Sequence, residues 1–382
     1  MDKKKYTALG LMSGTSMDGV DASIISSIDG ITFEEHYNKY YSYDNELYQK
    51  LVKLREQISV YEDIKNNTSE VKSVEKDLTI FHAKVVNNIL ENKEKSNFPN
   101  PNLIGFHGQT ILHKPERKIS VQIGDGLLLS QLTKKKVVYD FRQNDLMNGG
   151  QGAPLTPIFH NSLKNKIFKN CVQLVFINIG GISNVTFLSD SKENNEMFAA
   201  DIGPGNCLID EWIRKNSNQK FDKDGLIALS GKCDELILSQ AIENFQILSE
   251  NSLDIKDFDI SFVRGLSLED GAATLTHFTA EMISLGLKKL LKKKNYELNF
   301  ETRKILICGG GRKNKYLIDL LKKKIDFKSF ELVDQYDIDG DFIESQAFAF
   351  LAIRSILDLP ISFPQTTGCN KPIIGGKIVS NF

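Results

Sequence analysis

The sequence predicts a two-lobed α/β protein whose halves each open with the same kind of hairpin. Three observations carry this. The chain has 382 residues, more than one typical domain holds and enough for two lobes. Hydrophobic residues make up 41% of it, which suffices for sizeable cores. An apolar strand, a small Gly/Ser tip and a second apolar strand occur at 8–25 and again at 173–188. That repeat is one of architecture, since the two stretches share little sequence, and two such halves suit a nucleotide bound in a cleft between lobes.

The opening hairpin runs in through 8–12 and out through Val20, Ala22, Ile24 and Ile25, with Ser13, Gly14, Thr15, Ser16, Asp18 and Gly19 between. Gly14 and Gly19 lack a Cβ and allow a sharp turn and close approach to a ligand. Successive N–H groups in such a turn form a nest for anionic oxygens. Asp18 and Asp21 suit a divalent cation beside a phosphate. An ordinary glycine-containing hairpin is the alternative reading.

A third strand is expected over 31–41. The stretch 45–92 reads as helical, with Leu47, Leu51, Leu54 and Ile58 at helical spacing and a second helix from about 69 carrying Val74, Leu78, Phe81, Val85 and Ile89. His82 beside that face is expected to be structural. A short strand, 103–106, delivers His107, Gly108, Gln109 and Thr110 to a strand end, where open α/β sheets place ligands. His107 and His113 have no third metal ligand nearby, so hydrogen bonding to a polyhydroxylated ligand is the functional reading. A strand at 119–123 leads through Gly124 and Asp125 to a helix, 127–132, with Asp125 at its N-terminus. A strand at 137–141 runs into Arg142, which fits a carboxylate or phosphate bidentately or, equally, a surface ion pair. The polar stretch 149–154 reads as a flexible crossing between lobes.

In the second half, the strand 173–177 turns at 178–184 and returns through 185–188. A strand at 198–202 places Asp201 before Gly203, Pro204, Gly205 and a helix, 207–215. A carboxylate there suits a general base beside an anion site, or a cap for the turn. A long amphipathic helix follows over 272–291. The strand 304–308 ends in Gly309, Gly310 and Gly311, then a helix, 314–324, and a strand, 330–333, form a βαβ unit. The spacing is not that of a P-loop. Glu344 opens a helix over 345–357, and the tail reads as a glycine-rich loop with a final strand.

Lysine and arginine nearly balance aspartate and glutamate, for a net charge of −1, so nothing global points to nucleic acid or an anionic membrane. Five scattered cysteines without a Cys-x-x-Cys pair argue against a disulfide framework and a structural zinc site. The charged start leads directly into a strand, so no signal peptide is expected, and no apolar stretch approaches the roughly 20 residues that cross a bilayer. A cytoplasmic protein is the expectation.

Ordered motifs spanning nearly the whole chain resemble one family: 10–21, 107–110, 122–125, Asp140 to Arg142 with Asp145, 149–154, 178–184, 201–206, 308–311, Glu344 with 347–349, and 367–369. The sequence resembles the anhydro-N-acetylmuramic acid kinases, sugar kinases with the two-lobed actin-like ATPase (ribonuclease H-like) fold. It departs from other sugar kinases in lacking the Asp-x-Gly-x-Thr signature in the first hairpin, where Gly10 and Ser13 stand near the expected Asp. The resemblance implies an ATP- and Mg²⁺-dependent reaction. 1,6-anhydro-N-acetylmuramic acid is opened by water and phosphorylated on O6 in bacterial cell-wall recycling. It implies Asp201 as the base and Glu344 as the second carboxylate, orienting the same water. Gly14, Thr15, Ser16, Met17, Asp18, Gly19, Val20 and Asp21 are expected to hold ATP phosphates, with Asp18 and Asp21 toward the metal. Gly180, Gly181, Asn184, Gly203 and Gly205 are expected on the other side, with Gly309, Gly310 and Gly311 under the adenosine. His107, Gln109, Gln122, Arg142 and Gln151 are expected at the sugar, Arg142 facing its lactyl carboxylate. The expected lobes are 1–140 with 358–382, and 141–357; a homodimer is also implied. A kinase of an ordinary sugar, or a non-catalytic actin-like ATP-binding protein, are the competing readings.

Overall fold

The computed structural model describes residues 4–92, 97–169, 171–190, 195–245, 252–294, 296, 303–325 and 330–382. In chain order the first part contains β1 (Tyr6–Met12), β2 (Gly19–Ser27), β3 (Glu34–Ser42), α1 (Asn45–Gln57), α2 (Tyr61–Asn66), α3 (Thr68–Glu91), β4 (Leu103–Phe106), β5 (Gln109–Lys114), β6 (Ile119–Ile123), α4 (Gly126–Thr133), β7 (Lys136–Tyr139), α5 (Gln143–Met147) and α6 (Pro157–Ile167). There follow β8 (Gln173–Ile179), β9 (Ile182–Asp190), β10 (Asn195–Pro204), α7 (Cys207–Asn216), α8 (Leu226–Ser230), α9 (Glu235–Asn244), α10 (Leu268–Lys293), β11 (Arg303–Cys308), α11 (Lys315–Lys324) and β12 (Phe330–Leu332). The chain ends with α12 (Ile343–Ile356), α13 (Pro364–Thr367) and β13 (Lys377–Val379). Among the described residues no helix is long and apolar enough to cross a membrane.

The chain forms two compact units, 1–167 with 342–382, and 168–341. In the first, the sheet order is β13-β7-β4-β1-β2-β3. Strand β1 pairs antiparallel with β2 and parallel with β4, and β4 continues parallel to β7. In the second the order is β10-β9-β8-β11-β12. Strand β8 pairs antiparallel with β9 and parallel with β11, which is parallel to β12. Leaving aside the edge strand β13, each unit thus has a central strand with an antiparallel hairpin pair on one side and two parallel strands on the other. The duplication anticipated from the two hairpins is present, and both units have the ribonuclease H-like topology that the resemblance implied.

The first sheet is covered on both faces, as buried parallel strands require. Leu9, Leu11, Ile24, Ile104 and Phe106 pack with Leu51, Leu54, Leu78 and Val86 of α1 and α3. On the other face α12 lies directly on β1, β2 and β4. Gly10 and Gly105 are register partners on neighbouring strands. A Cβ on Gly10 would overlap the Ser345 carbonyl, and one on Gly105 would overlap that of Phe348. The two glycines are what allow the helix backbone to touch the sheet.

Several boundaries differ from the expectation. The Asp29 carboxylate accepts the N–H groups of Ile31 and Thr32, both at 2.8 Å, so those residues form a turn and β3 starts later. The lobe boundaries expected near 140 and 358 lie instead at 167/168 and 341/342. Phe159 of α6 packs on Phe33 and on Phe350 of α12, and this aromatic cluster holds both helices in the first unit. The stretch 149–154 is therefore not a crossing between units. It is a loop of the first unit, held by the buried Asp145, whose carboxylate accepts Gly152 N–H at 2.7 Å, Ser362 Oγ at 2.5 Å and Thr367 Oγ1 at 2.7 Å.

Candidate active site

The first-hairpin loop is built on β1. At its end the Ser13 hydroxyl lies 2.7 Å from Tyr43 Oη and 3.2 Å from His82 Nε2. His82 Nδ1 lies 2.8 Å from the Leu78 carbonyl, which can only accept, so Nδ1 carries the proton and Nε2 accepts from Ser13. Burial depresses His82 to about 4 and keeps it neutral. The structural reading of His82 therefore holds, with the added role of anchoring the loop.

The loop closes through Met17 N–H to the Gly14 carbonyl at 3.2 Å. Its left-handed residue is Met17, at φ 57°, rather than either glycine. Met17 is 2% exposed and packs in the core with the fully buried Val20, so neither offers a side chain to a ligand. Gly19 is a packing glycine: its Cβ would overlap the Tyr41 carbonyl. Gly14 is different, since its missing Cβ leaves space with only Ser16 Oγ at 3.9 Å. Thr15 O accepts from Arg55 at 3.3 Å, and Ser16 Oγ donates to Asp18 at 2.5 Å. The Asp18 and Asp21 carboxylates both act on the Tyr40 phenol, pushing it up after the larger effect of its burial. Gln109 Nε2 donates to the Gly14 carbonyl at 3.0 Å, while its buried Oε1 has no partner among the described residues.

His107 and Arg142 form a pair in the same unit. Arg142 donates to His107 Nε2 at 2.9 Å and to the Gly152 carbonyl at 2.7 Å. His107 Nδ1 lies 2.9 Å from the Gly108 carbonyl, which fixes the Nδ1–H tautomer. Burial first, then the Arg142 charge, holds His107 well below its usual range. Its ring packs on Phe348 of α12 with centroids 4.5 Å apart. Gln151 N–H donates to the Thr367 carbonyl at 2.8 Å. Gln122 sits apart on the β5–β6 hairpin, donating to Ser120 Oγ and Thr110 Oγ1. Glu344 is half-buried in the first turn of α12, beside Ser345, whose hydroxyl meets that of Ser23 at 2.6 Å.

The second unit gathers the remaining candidates. Cys308, Asn178, Asn184 and Asp201 are successive register partners across β11, β8, β9 and β10. Partners directly opposite share a sheet face, so these four polar side chains form one row. Asn184 Oδ1 is buried without a partner among the described residues. The ladder shifts by one residue between Asp201 and Gly203, a bulge just after the carboxylate, and pairing resumes at Gly203 and Pro204. Asp201 Oδ2 accepts from Leu253 N–H at 2.7 Å and Ser252 Oγ at 3.1 Å.

Around this row the glycine loops pack backbone to backbone. Gly205 N–H donates to Gly181 O at 2.9 Å and Asn206 N–H to Gly180 O at 2.8 Å. A Cβ on Gly205 would overlap Gly180 O, one on Gly309 the Asn178 side chain, and one on Gly311 the Ile179 side chain. Gly180 and Gly310 face space instead, their nearest atoms being Ile182 O at 3.5 Å and Asn206 Nδ2 at 3.9 Å. Gly14 in the first unit, and Gly180 and Gly310 in the second, each leave open the kind of bare backbone that an anion or a flat ring needs. The oxygen-only donors Asp18 and Asp21 fit a hard cation that keeps several waters. Asp201 and Glu344 belong to different units.

The sequence reading missed the role of Asp145, which holds the loop carrying the Arg142 acceptor at Gly152. Its signal was an Asp shortly before a run of glycine N–H donors. It also missed the Ser13–His82 anchor, whose members lie far apart in sequence.

Comparison with known proteins covers nearly the whole chain. The family model described as anhydro-N-acetylmuramic acid kinase matches residues 6–381. An anhydro-N-acetylmuramic acid kinase of Pelagibacter ubique is 50% identical over 387 residues, covering 100% of both chains. One of Brucella canis is 38% identical, covering 97% of each. Among solved structures, a ROK family glucokinase from Streptomyces griseus in complex with glucose and AMPPNP aligns at a TM-score of 0.38 and 11% identity, over 91% of this chain and 99% of that one. The full-length relationship spans every motif placed above, from the first hairpin to the tail, and the chain belongs to the anhydro-N-acetylmuramic acid kinase family.

Proposed function

We propose that this protein opens 1,6-anhydro-N-acetylmuramic acid with water and transfers the γ-phosphoryl group of ATP to O6. The products are N-acetylmuramic acid 6-phosphate and ADP, a step in the recycling of cell-wall amino sugars. The observation that carries the reading is Asp201, set in a polar row at the bulge of β10, beside glycine loops suited to a nucleotide.

Asp201 takes a proton from water as the water oxygen attacks the anomeric carbon. The anomeric carbon–O6 bond breaks, and O6 takes the phosphoryl group as ADP leaves. Glu344 orients water for the attack. Bare backbone at Gly14 and Gly180 receives phosphate oxygens, and Gly310 lies under the adenosine. Mg²⁺, when bound near Asp18 and Asp21, neutralises charge on the β- and γ-phosphates. Arg142 is steered by neutral His107 and the Gly152 carbonyl, and its guanidinium meets the lactyl carboxylate. Gln109, whose buried Oε1 has no partner among the described residues, takes a donor from the ligand.

The test is ADP release with ATP and Mg²⁺, comparing the anhydro sugar with glucose, N-acetylglucosamine and N-acetylmuramic acid. Release with the anhydro sugar alone, yielding the 6-phosphate, is expected. Release with an ordinary sugar instead would remove the hydrolytic role of Asp201. No release with any sugar would leave a nucleotide-binding protein.

A further inference from the structure

A second constellation lies in the 168–341 unit, outside all the residues assigned above. Cys233, Glu235 and His277 bring one thiol sulfur, one carboxylate oxygen and one imidazole nitrogen within 4.8 Å of one another. We propose that these three side chains form a site for a borderline divalent transition metal of the zinc class, clamping the start of α9 onto α10.

The backbone on either side of Cys233 is fixed along the face of α10 that carries the third ligand. Lys232 N–H donates to Asp270 Oδ1 at 2.8 Å, and Asp234 N–H donates to Thr274 Oγ1 at 3.1 Å. Residues 270, 274 and 277 follow the four- and three-residue steps of one helix face, so this lacing directs Cys233 and Glu235 toward His277. Asp234 also caps α9, accepting from Leu236 and Ile237, which sets the orientation of the first turn bearing Glu235. His277 Nε2 lies 2.9 Å from the Tyr316 hydroxyl. With its proton on Nε2, the ring donates to Tyr316 and leaves Nδ1 for an ion, the outer hydrogen bond usual for a metal-bound histidine.

The donor set decides the metal. Thiolate and imidazole favour zinc-class ions over magnesium or calcium, and one carboxylate completes a three-ligand site with water as the fourth. Tetrahedral zinc with sulfur at about 2.3 Å and nitrogen or oxygen at about 2.0–2.1 Å places its ligand atoms roughly 3.3–3.6 Å apart. The present separations need only small side-chain rotations to close. Cys233 and His277 are half-buried and Glu235 is exposed, so solvent can supply the water. On binding, the Cys233 thiol proton leaves to solvent and no redox change occurs.

The experiment uses the full-length reduced protein titrated with Co²⁺ and then Zn²⁺. One equivalent of Co²⁺ with thiolate-to-metal charge-transfer absorption, displaced by Zn²⁺, is expected. Cys233→Ser should abolish that absorption, and His277→Gln should weaken Zn²⁺ binding at least about tenfold. Both variants should keep the wild-type far-ultraviolet circular dichroism and ADP release; if one fails to fold, the other decides. Absence of the absorption in the wild type overturns the proposal. So does its persistence in Cys233→Ser, or unchanged Zn²⁺ affinity in His277→Gln.

Discussion

At the scale of single residues, the candidate site is a set of side chains held before any ligand arrives. Asp201 is the sharpest case. Its Oδ2 already accepts two hydrogen bonds, and an asparagine there offers an amide oxygen in the same place. Asp201→Asn should therefore fold and bind ATP as before while losing proton acceptance from water. The expected loss is roughly 10²–10⁴-fold in kcat with the anhydro sugar, read by ADP release beside nucleotide affinity. Full turnover in this variant would count against a general-base role. Asp201 stood out in the sequence because a strand delivers it just before Gly-Pro-Gly at a helix start, and the family resemblance singled it out as the base rather than a turn cap. The row linking it to Asn184, Asn178 and Cys308 was not, because lateral register depends on pairing between strands distant in sequence.

At the scale of elements, glycines separate into two kinds that the sequence does not distinguish. Gly10 carries a helix: any Cβ there meets the backbone of α12 near Ser345 and Ala349. Gly10→Ala should lower stability by about 1–3 kcal/mol or more through overpacking. It should also reduce kcat by shifting the helix whose first turn holds Glu344. Gly14 has ordinary φ and space at its Cβ. Gly14→Ala should leave the melting temperature nearly unchanged and raise the KM for ATP. The two variants, compared by thermal melts and ATP titration, check the division. A large loss of stability in Gly14→Ala would contradict it. Hairpins and amphipathic helices were read from periodicity, since strand and helix repeats are local. The Asp29 turn and the hold of Asp145 on 149–154 were not, because a side chain capturing backbone N–H groups overrides the local pattern.

At the scale of the whole molecule, the 1–167 and 342–382 unit holds His82, His107 and His160 buried in neutral form. Burial lowers His82 to about 4 and His160 to about 3, and His107 lies well below its ordinary value. As pH falls below the unfolded value of about 6.5, the unfolded chain binds protons that the folded chain refuses, so stability falls with pH. Each histidine contributes about 1.4 kcal/mol per pH unit until its folded value is reached. Urea midpoints should drop steadily from about pH 6.5 toward pH 5, and His82→Gln should remove about a third of what these three histidines add to the slope. A midpoint flat across that range would contradict the neutral burial. By itself the sequence determined the duplicated α/β architecture, most element positions, the family and the residue types available for catalysis, because strand and helix periods and ordered motifs are written locally along the chain. Only the tertiary structure decided that 141–167 and 342–357 belong with the first unit, and which glycines face open space. It also decided that Met17 rather than a glycine takes the strained turn, and that Cys233, Glu235 and His277 meet. These follow from packing between distant segments, where contact depends on which faces meet and not on neighbours along the chain.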